Sequence, residues 1–177
     1  MSERVNLYSS SLYQSAVEEN ASDEVYESLK IVRKVLEENK DYIKLLSSAE
    51  LKSEEREALL EEAFGGKIHP FCVNFMKILA KKRIFEILIP CIKEFEKKYL
   101  KDNNIEFANI VTAFELSDEK KKDVVEKISR STGKTINATF EVRKEIIGGI
   151  IVESENSAID ASVAGKLKDI ERHISKN

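Results

Sequence analysis

The chain has 177 residues, of which 42% are hydrophobic and 34% are charged, and its formal net charge at pH 7 is -3. This length suits one large domain or two small ones, and it allows a core that is stable without disulfide bonds. The high charged fraction favours long amphipathic helices, and the acidic balance argues against nucleic acid as the main partner.

The cysteines and histidines do not form a pattern typical of a metal site or of catalysis. Cys72 and Cys91 lie in apolar helical patterns without a spacing that suits a metal, so both are predicted to be core thiols. His69 and His173 have no second ligand at helical spacing, and no pairing of nucleophile and base suggests itself. We therefore expect no metal, no cofactor and no catalytic residue.

No stretch of the chain is predicted to cross a membrane. The most apolar window, residues 84–92, contains Glu86 and Pro90. It is far shorter than the roughly 20 apolar residues that span a bilayer as a helix. The first four residues lead directly into a helical pattern, so no secretory signal is expected. The protein is expected to be cytosolic, or docked on a larger assembly.

Amphipathic helices are predicted in close succession from the start of the chain. The first covers residues 3–20, and Asn20 is interpreted as the N-cap of the second. The apolar stripe of the second helix consists of Val25, Leu29, Val32 and Leu36. A short helix is predicted at 41–46, and Ser53 is expected to cap a fourth that ends at 64–66, where two glycines follow a phenylalanine.

Two more helices complete the first half of the chain. Pro70 suits the first turn of the fifth helix, which ends at the basic residues 81–83. A sixth is predicted over 84–100. Pro90 lies inside it and should kink it, because proline removes a backbone donor and clashes with the preceding turn. Six helices with short links predict a compact bundle over residues 1–104.

A second domain is predicted for residues 105–177. Alternating apolar side chains indicate a strand over 105–114, and Ser117 is expected to cap a helix that ends at Gly133. Residues 136–142 form the clearest strand pattern in the chain. The predicted fold class is therefore α+β, with an N-terminal six-helix bundle followed by a small strand–helix–sheet–helix domain.

The stretch 140–174 has the most distinctive pattern. It predicts strand, turn, strand, turn, strand and helix. In that order, these elements correspond to an alternating segment into Lys144, the pair Gly148-Gly149, the apolar run 150–152, the polar turn 154–157, Ile159-Asp160 and a helical pattern from Ser162. The glycine pair is expected to supply a positive φ or a close backbone approach between two strands. Ser162 is expected to cap the last helix. Nothing in this stretch is suited to chemistry.

Two features invite a catalytic interpretation. The segment 132–135, Thr-Gly-Lys-Thr, resembles the end of a P-loop, but the earlier glycine that a P-loop requires is replaced by Ile128. The segment also follows a helix and precedes a strand, which is the wrong order, so we interpret it as a helix stop and a strand start. Asp160 could be a catalytic carboxylate, although its position beside Ser162 fits a strand end and an N-cap better.

Basic clusters occur at 81–83, 97–98 and 120–122. Acidic residues surround them, and no aromatic residues are interleaved for base stacking. We interpret them as solvated helix faces, and a charged contact with a partner protein is the alternative.

Residues 147–150 (Ile-Gly-Gly-Ile) and 159–167 (Ile-Asp-Ala-Ser-Val-Ala-Gly-Lys-Leu) resemble a family signature in order and spacing. The signature is that of the C-terminal part of the delta subunit of F-type ATP synthases, whose mitochondrial counterpart is the oligomycin-sensitivity-conferring protein. In the first half, residues 8–16 are similar to the first-helix motif of this family, Tyr-Ala-x-Ala-Leu-x-x-x-Ala. Phe64-Gly65, Asn74-Phe75, Leu79, Arg83 and residues 111–117 fall at further family positions.

The chain departs from the family pattern at several places. Serines replace small alanines in the first helix, and Lys81 stands where asparagine is common. Arg143 stands where aspartate often precedes the glycine pair, and Ala161 replaces a glycine. The resemblance nevertheless covers nearly the whole chain.

The resemblance implies a non-catalytic stator protein in the peripheral stalk, part of the CF(1) assembly, that supports proton-coupled ATP synthesis. The bundle would hold the N-terminal helix of an alpha subunit, and the second domain would hold the b subunits of the stalk. The protein would be peripheral, at the cytoplasmic face of the bacterial plasma (inner) membrane, as part of the complex. No nucleic acid, metal or cofactor is implied.

The resemblance also implies a position for the partner helix, between the first and fifth helices. One wall of this groove is expected from Tyr8, Leu12 and Ser15, and the other from Val73, Met76, Lys77 and Ala80. With Cys72, the apolar members of the second wall step along one helix face, which must be exposed if the groove is there. The family signature, expected to be structural, consists of Gly148, Gly149, Asp160, Ser162, Gly165 and Leu167. The stalk contact is expected in the last domain, including the helix 163–174.

Two alternatives come from other functional classes. The first is a helical adaptor that binds RNA, which the acidic net charge and the glycine-pair domain argue against. The second is an enzyme that uses residues 133–135 or Asp160. Substitution of Lys134 and Asp160 by alanine without loss of ATP synthesis by the assembled complex would remove it.

Overall fold

The structure is a computed structural model that describes residues 2–48, 51–154, 158–165 and 167. The chain forms two compact units, Met1–Tyr99 and Leu100–Asn177. The first is helical and the second contains a sheet, so the fold class is α+β. The predicted domain boundary, after residue 104, lies five positions beyond this division, which falls within the helix Leu88–Asp102.

The helices of the first unit follow one another with short links. They are α1 (Ser2–Glu18), α2 (Ser22–Glu38), α3 (Lys40–Ser47), α4 (Ser53–Phe64), α5 (Pro70–Lys81), a 3-10 turn at Phe85–Ile87 and α6 (Leu88–Asp102). Their inner faces form a common core, and the predicted stripe of α2 is confirmed, since Val25, Leu29, Val32 and Leu36 are all buried. Each fully buried aliphatic side chain contributes about 1.5–3 kcal/mol to the free energy of folding.

Two predicted helix caps are wrong. Asn20 has a φ of 55° and ends α1, while α2 begins at Ser22. Asparagine tolerates this left-handed conformation better than most residues, and it therefore acts as a helix stop here. Ser53 is the first residue of α4 and not its cap. At the start of that helix, the backbone N–H of Lys52 donates to Glu55 Oε2 at 2.8 Å.

Pro90 does not kink the sixth helix. The predicted single helix over 84–100 is divided into the 3-10 turn and α6, which begins at Leu88. Pro90 is therefore the third residue of α6. The backbone N–H groups of the first turn have no partner within the helix, so a residue without this donor costs little there.

A four-stranded sheet forms the second unit. Its elements are β1 (Ile105–Thr112), α7 (Asp118–Thr132), β2 (Thr135–Val142), β3 (Ile150–Ser154) and β4 (Ala158–Asp160), with the strand order β2-β1-β3-β4. β1 pairs in parallel with β2 and antiparallel with β3, and β3 pairs antiparallel with β4. The first strand therefore lies inside the sheet, whereas the predicted order placed it before a separate sheet. This position buries Ile110 and Val111 completely.

The ends of α7 form as predicted. Ser117 Oγ accepts from the backbone N–H of Lys120 at 3.5 Å, and Gly133 ends the helix with a φ of 69°. Residues 163–165 and 167 are helical. Most of the predicted last helix (166 and 168–174), with His173, and the turn residues 155–157 lie outside the described residues.

Candidate functional site

A groove of about 590 Å³ runs between α1 and α5. Its lining residues all come from these two helices and from the one residue that follows each of them. They are Leu7, Tyr8, Ser11, Leu12, Ser15, Glu18 and Glu19 on one side and Phe71, Asn74, Phe75, Ile78 and Lys82 on the other. Three of the residues predicted for the groove, Tyr8, Leu12 and Ser15, are among them.

The α1 wall is one face of an amphipathic helix. Residues three or four positions apart share a helix face, which places Tyr8, Leu12 and Ser15 in one row. Leu12 is buried and forms part of the floor, whereas Leu7 is 65% exposed and stands at the rim. The inward side of α1 contributes to the core through Ala16 and other residues. Thus one row of side chains on α1 packs in the core, and a second row lines the groove.

The α5 wall differs from the predicted one. Val73, Met76 and Ala80 are 6%, 0% and 0% exposed, so the expected exposure of this face is wrong. They belong to the core side of α5, where α4 packs: Arg56 of α4 donates from Nη1 to the carbonyl of Ala80 at 3.4 Å. Lys77 is half-buried and its Nζ lies 2.5 Å from Glu61 Oε2 on α4. The face that was expected to hold a partner instead holds the bundle together.

The outer wall of α5 consists of Phe71, Asn74, Phe75, Ile78 and Lys82. Ile78 is 47% exposed, while Phe75 is buried and forms floor. The prediction missed these five residues because α5 is apolar on almost every side. One signal was available, since the strip 71, 74, 78, 82 contains two polar residues, and polar residues at helical spacing mark a face that meets water.

Other elements of the bundle hold both walls in place. On α6, Lys98 Nζ donates to Asn6 Oδ1 at 3.1 Å and to Ser10 Oγ, which fixes α1. At the start of α5, the backbone N–H of His69 donates to Ser28 Oγ at 2.9 Å. His69 Nδ1 accepts from the N–H of Phe71 at 3.3 Å and caps the helix. The groove is therefore largely pre-formed, which lowers the entropic cost of binding.

The described residues contain neither a cluster of side chains that could bind a metal nor a reactive cysteine. Among them, no three His, Cys, Asp or Glu side chains gather where an ion could bind. Burial raises the pKa of the Cys72 thiol to about 12 and that of Cys91 to about 11. Both thiols therefore stay protonated at neutral pH, which removes the reactive thiolate form. None of the described helices is long and apolar enough to cross a membrane.

The residues of the two catalytic interpretations have structural contacts. Lys134 lies between α7 and β2, and its Nζ pairs with Glu106 Oε2 at 2.9 Å. The order of helix before strand is the reverse of a P-loop. Asp160 Oδ1 accepts from the backbone N–H of Ser162 at 2.9 Å. Neither residue faces a cavity that would admit a substrate among those lined by described residues.

The glycine-pair signature forms a tight corner beside the start of β3 and the end of β4. Gly149 has a φ of 84°, and a Cβ atom there would lie 2.5 Å from the carbonyl oxygen of Ala161. A Cβ on Gly165 would lie 2.7 Å from the carboxyl carbon of Asp160. Ser162 is buried and its Oγ accepts from the N–H of Gly165 at 3.0 Å. The positive φ and the close approach predicted for the glycine pair both occur at Gly149.

The remaining signature residues lie at the edge of this corner. The N–H of Val163 donates to the carbonyl of Gly148 at 2.9 Å, which continues the pairing of the two strands. Leu167 is 60% exposed. The predicted signature set is thus gathered in one place in the second unit, apart from Leu167, for which the structure shows only this exposure.

Comparison with known proteins gives concordant matches. The family model described as ATP synthase delta (OSCP) subunit matches residues 5–174. ATP synthase subunit delta of Clostridium botulinum (strain Loch Maree / Type A3) is 31% identical over 169 residues, covering 96% of this chain and 94% of the relative. The subunit of the same name from Clostridium kluyveri is 30% identical over 169 residues, covering 96% and 93%.

A similar fold also occurs in a solved structure. A chain in the cryo-EM structure of the Toxoplasma gondii mitochondrial ATP synthase hexamer matches with a TM-score of 0.65, covering 96% of each chain. The sequence identity is 18%, so this match supports the similarity of fold alone. The family model and the sequence relatives match this chain by sequence, without reference to its fold.

Proposed function

The chain belongs to the ATP synthase delta (OSCP) subunit family, and we propose that its α1/α5 groove holds the N-terminal helix of an alpha subunit. It is a subunit of the ATP synthase complex and not itself a catalytic subunit. The alternative of a helical, RNA-binding adaptor is not supported by the family model or by the sequence relatives. The function proposed for the bundle is mechanical, since it joins the catalytic head to the peripheral stalk.

One observation supports the groove assignment above the others. Leu7 and Ile78 stand exposed on the two walls, at 65% and 47%, over a floor that includes buried Leu12 and Phe75. An amphipathic helix recognises a site of this kind by laying its apolar face into the groove, with anchors three or four positions apart. The α1 wall from Tyr8 to Glu18 rises about 15 Å, which matches roughly three turns of a partner helix.

The stator role sets a physical demand on this contact. Rotation driven by ion flow can change the catalytic sites only if the head is prevented from turning with the rotor. A contact of nanomolar affinity corresponds to about 12 kcal/mol, which a groove filled by one helix can approach with a standard-sized interface. We place the protein at the cytoplasmic face of the bacterial inner membrane, as a peripheral part of the complex.

The second unit is proposed to hold the b subunits. Large apolar side chains are exposed on it at Phe107, Phe114, Ile147 and Ile159, and a partner that covers any of them would bury apolar surface. The helix predicted at 163–174, which was also expected to contribute, lies mostly outside the described residues.

Calorimetric titration tests the groove assignment. The full-length protein is titrated with a peptide of the alpha subunit's N-terminal twenty-odd residues from the same organism. We expect saturable one-to-one binding. The variant Ile78→Asp should weaken it by about 30-fold or more, because a carboxylate at a central anchor costs about 2 kcal/mol.

The matched control is Ile31→Asp. Ile31 lies on α2, is 50% exposed and does not line the groove. This control should change the affinity by less than about twofold, since surface substitutions outside the contact are nearly neutral. Equal weakening by both variants would move the site away from the groove. A folded protein that does not bind the peptide at all would refute the assignment.

A further inference from the structure

We infer that the groove has opposite charges at its two ends and that these charges select the direction of the bound helix. The end of the occupant that has basic side chains lies against Glu18 and Glu19, and the end with acidic side chains lies against Lys82. This inference rests on the proposed function, since it describes how the same groove orients its partner.

The acidic and basic residues lie at opposite ends of the groove. Lys82 Nζ is 5.8 Å from the centre of the Tyr8 ring, so the end of α5 lies beside the early part of α1. Glu18, the last residue of α1, and Glu19, which follows it, lie ten and eleven positions after Tyr8. At 1.5 Å per residue, they are about 15 Å farther along the groove. α1 and α5 therefore run in opposite directions, and each end of the groove has its own charge.

The charges at both ends are available to a partner. Glu18 and Glu19 are exposed, and no ion pair is found for either within the described part of the chain. At the other end, Lys82 belongs to the exposed basic cluster 81–83, to which the proposed function assigns no role. The only interaction found for the Lys82 side chain among the described residues is the one with the Tyr8 ring, and Tyr8 lines the groove.

A helix placed in the wrong direction fits its apolar anchors less well, because every Cα–Cβ bond tilts toward the helix N-terminus, and the charges at the groove ends add a second discrimination. The groove ends are about 15 Å apart, whereas the Debye length at 0.1 M ionic strength is about 10 Å. Each end therefore acts mainly on the part of the occupant next to it. In the wrong direction like charges meet at both ends, so the charges select one direction and speed the encounter.

Two peptides and two proteins test this inference. The first peptide is the alpha subunit's N-terminal segment from the same organism. In the second, every acidic residue is exchanged for lysine and every basic residue for glutamate. The wild-type protein should bind the first peptide about tenfold more tightly, as expected for a few exposed charge pairs. The triple variant Glu18→Lys/Glu19→Lys/Lys82→Glu should prefer the second peptide by a similar factor.

The matched control is Glu37→Lys/Glu38→Lys/Lys40→Glu. It makes the same net charge change at exposed positions that do not line the groove, and it should keep the wild-type preference. Both preferences should shrink between 50 and 500 mM salt, because exposed charges are screened.

The possible outcomes separate the two proposals. A triple variant with an unchanged preference, or a control that reverses it, would overturn the inference about direction. Equal binding of both peptides by the wild-type protein would do the same while leaving the groove in place. If neither peptide binds the folded protein, the proposed function fails, and the direction inference fails with it.

Discussion

The two units of this protein are stabilised in different ways. In the first unit, fully buried side chains come from several helices, including Leu36, Leu60, Met76 and Phe95. In the described part of the second unit, only Ile110 and Val111 reach complete burial. There the backbone at Gly149 instead approaches the chain at Ala161 too closely to leave room for a side chain.

This difference bears on the partner contacts proposed for each unit. The bundle buries most of its large apolar side chains, and between α1 and α5 it leaves a groove with defined walls. The sheet leaves large side chains such as Phe107 and Ile147 outside, at 47% and 83% exposure. The first unit therefore offers a pre-formed groove, and the second offers separate exposed apolar side chains. Substitutions in the core should damage the first unit most, and substitutions at glycines the second.

Thiol labelling gives the largest expected effect. Both cysteines of the chain lie in the first unit and are buried, and burial raises the pKa of each thiol. A stable domain opens so seldom that reaction with a maleimide at pH 7.5 should be at least about a thousandfold slower than in urea. The reaction reports opening of the first unit alone. Fast labelling of either thiol in the folded protein would show that the bundle is not closed.

A core substitution in α5 should cost nearly as much. Met76→Ala removes a fully buried side chain, and we expect the free energy of unfolding of the first unit to fall by about 3 kcal/mol. The matched change Ile78→Ala, two positions away and 47% exposed, should cost less than about 0.5 kcal/mol. Urea unfolding followed by helix circular dichroism measures both. Equal costs would contradict the assignment of the inner and outer faces of α5.

The corresponding weak point of the second unit is Gly149. An alanine there meets both a positive φ and the carbonyl of Ala161, so we expect a loss of about 2–3 kcal/mol. Gly133→Ala is the control, since its φ is 69° but a Cβ would have nothing within 4 Å. It should cost about 1 kcal/mol. Amide signals of Ile110 and Val111 followed by NMR in urea report on this unit, and a smaller cost at Gly149 than at Gly133 would refute the close approach.

The smallest expected effect is a pH dependence on the sheet surface. Hydrogen bonds from Arg143 and Asn109 lower the pKa of the Glu141 carboxyl from its ordinary 4.5 to about 2. A lowered pKa in the folded state adds stability that is present above pH 4.5 and is lost as the pH falls toward 2. Carboxyl NMR should show a midpoint near the lower value, and Arg143→Gln should raise it. Identical titration curves for the two proteins would rule out this ion pair in solution.

The same comparison shows how much could be predicted from the sequence. The stripe of α2 and the alternation of β2 have clear periods, because one side of each element meets water. α5 has no such contrast, so its core face and its groove face could not be separated by hydrophobicity. Which face is inward depends on α4, whose buried Arg56 reaches the carbonyl of Ala80 from another part of the chain.

Element boundaries failed for local reasons. Pro90 was correctly expected in the sixth helix, but a 3-10 turn at 85–87 moved the start of the helix and removed the kink. Asn20 can cap a helix or stop one, and only its φ of 55° decides between them. The glycine pair was predictable, because a positive φ or a close approach leaves few other residues possible at such a corner.

Photo-cross-linking in the assembled complex tests the groove assignment most directly. A cysteine introduced at Ile78 would be labelled with a photoreactive maleimide, since the two native thiols are buried and should not react. After illumination of the ATP synthase, we predict one product, joined to the N-terminal segment of the alpha subunit, while a cysteine at Ile31 gives none. An alpha-subunit product from position 31, or a product with another subunit from position 78, would contradict the assignment of the groove.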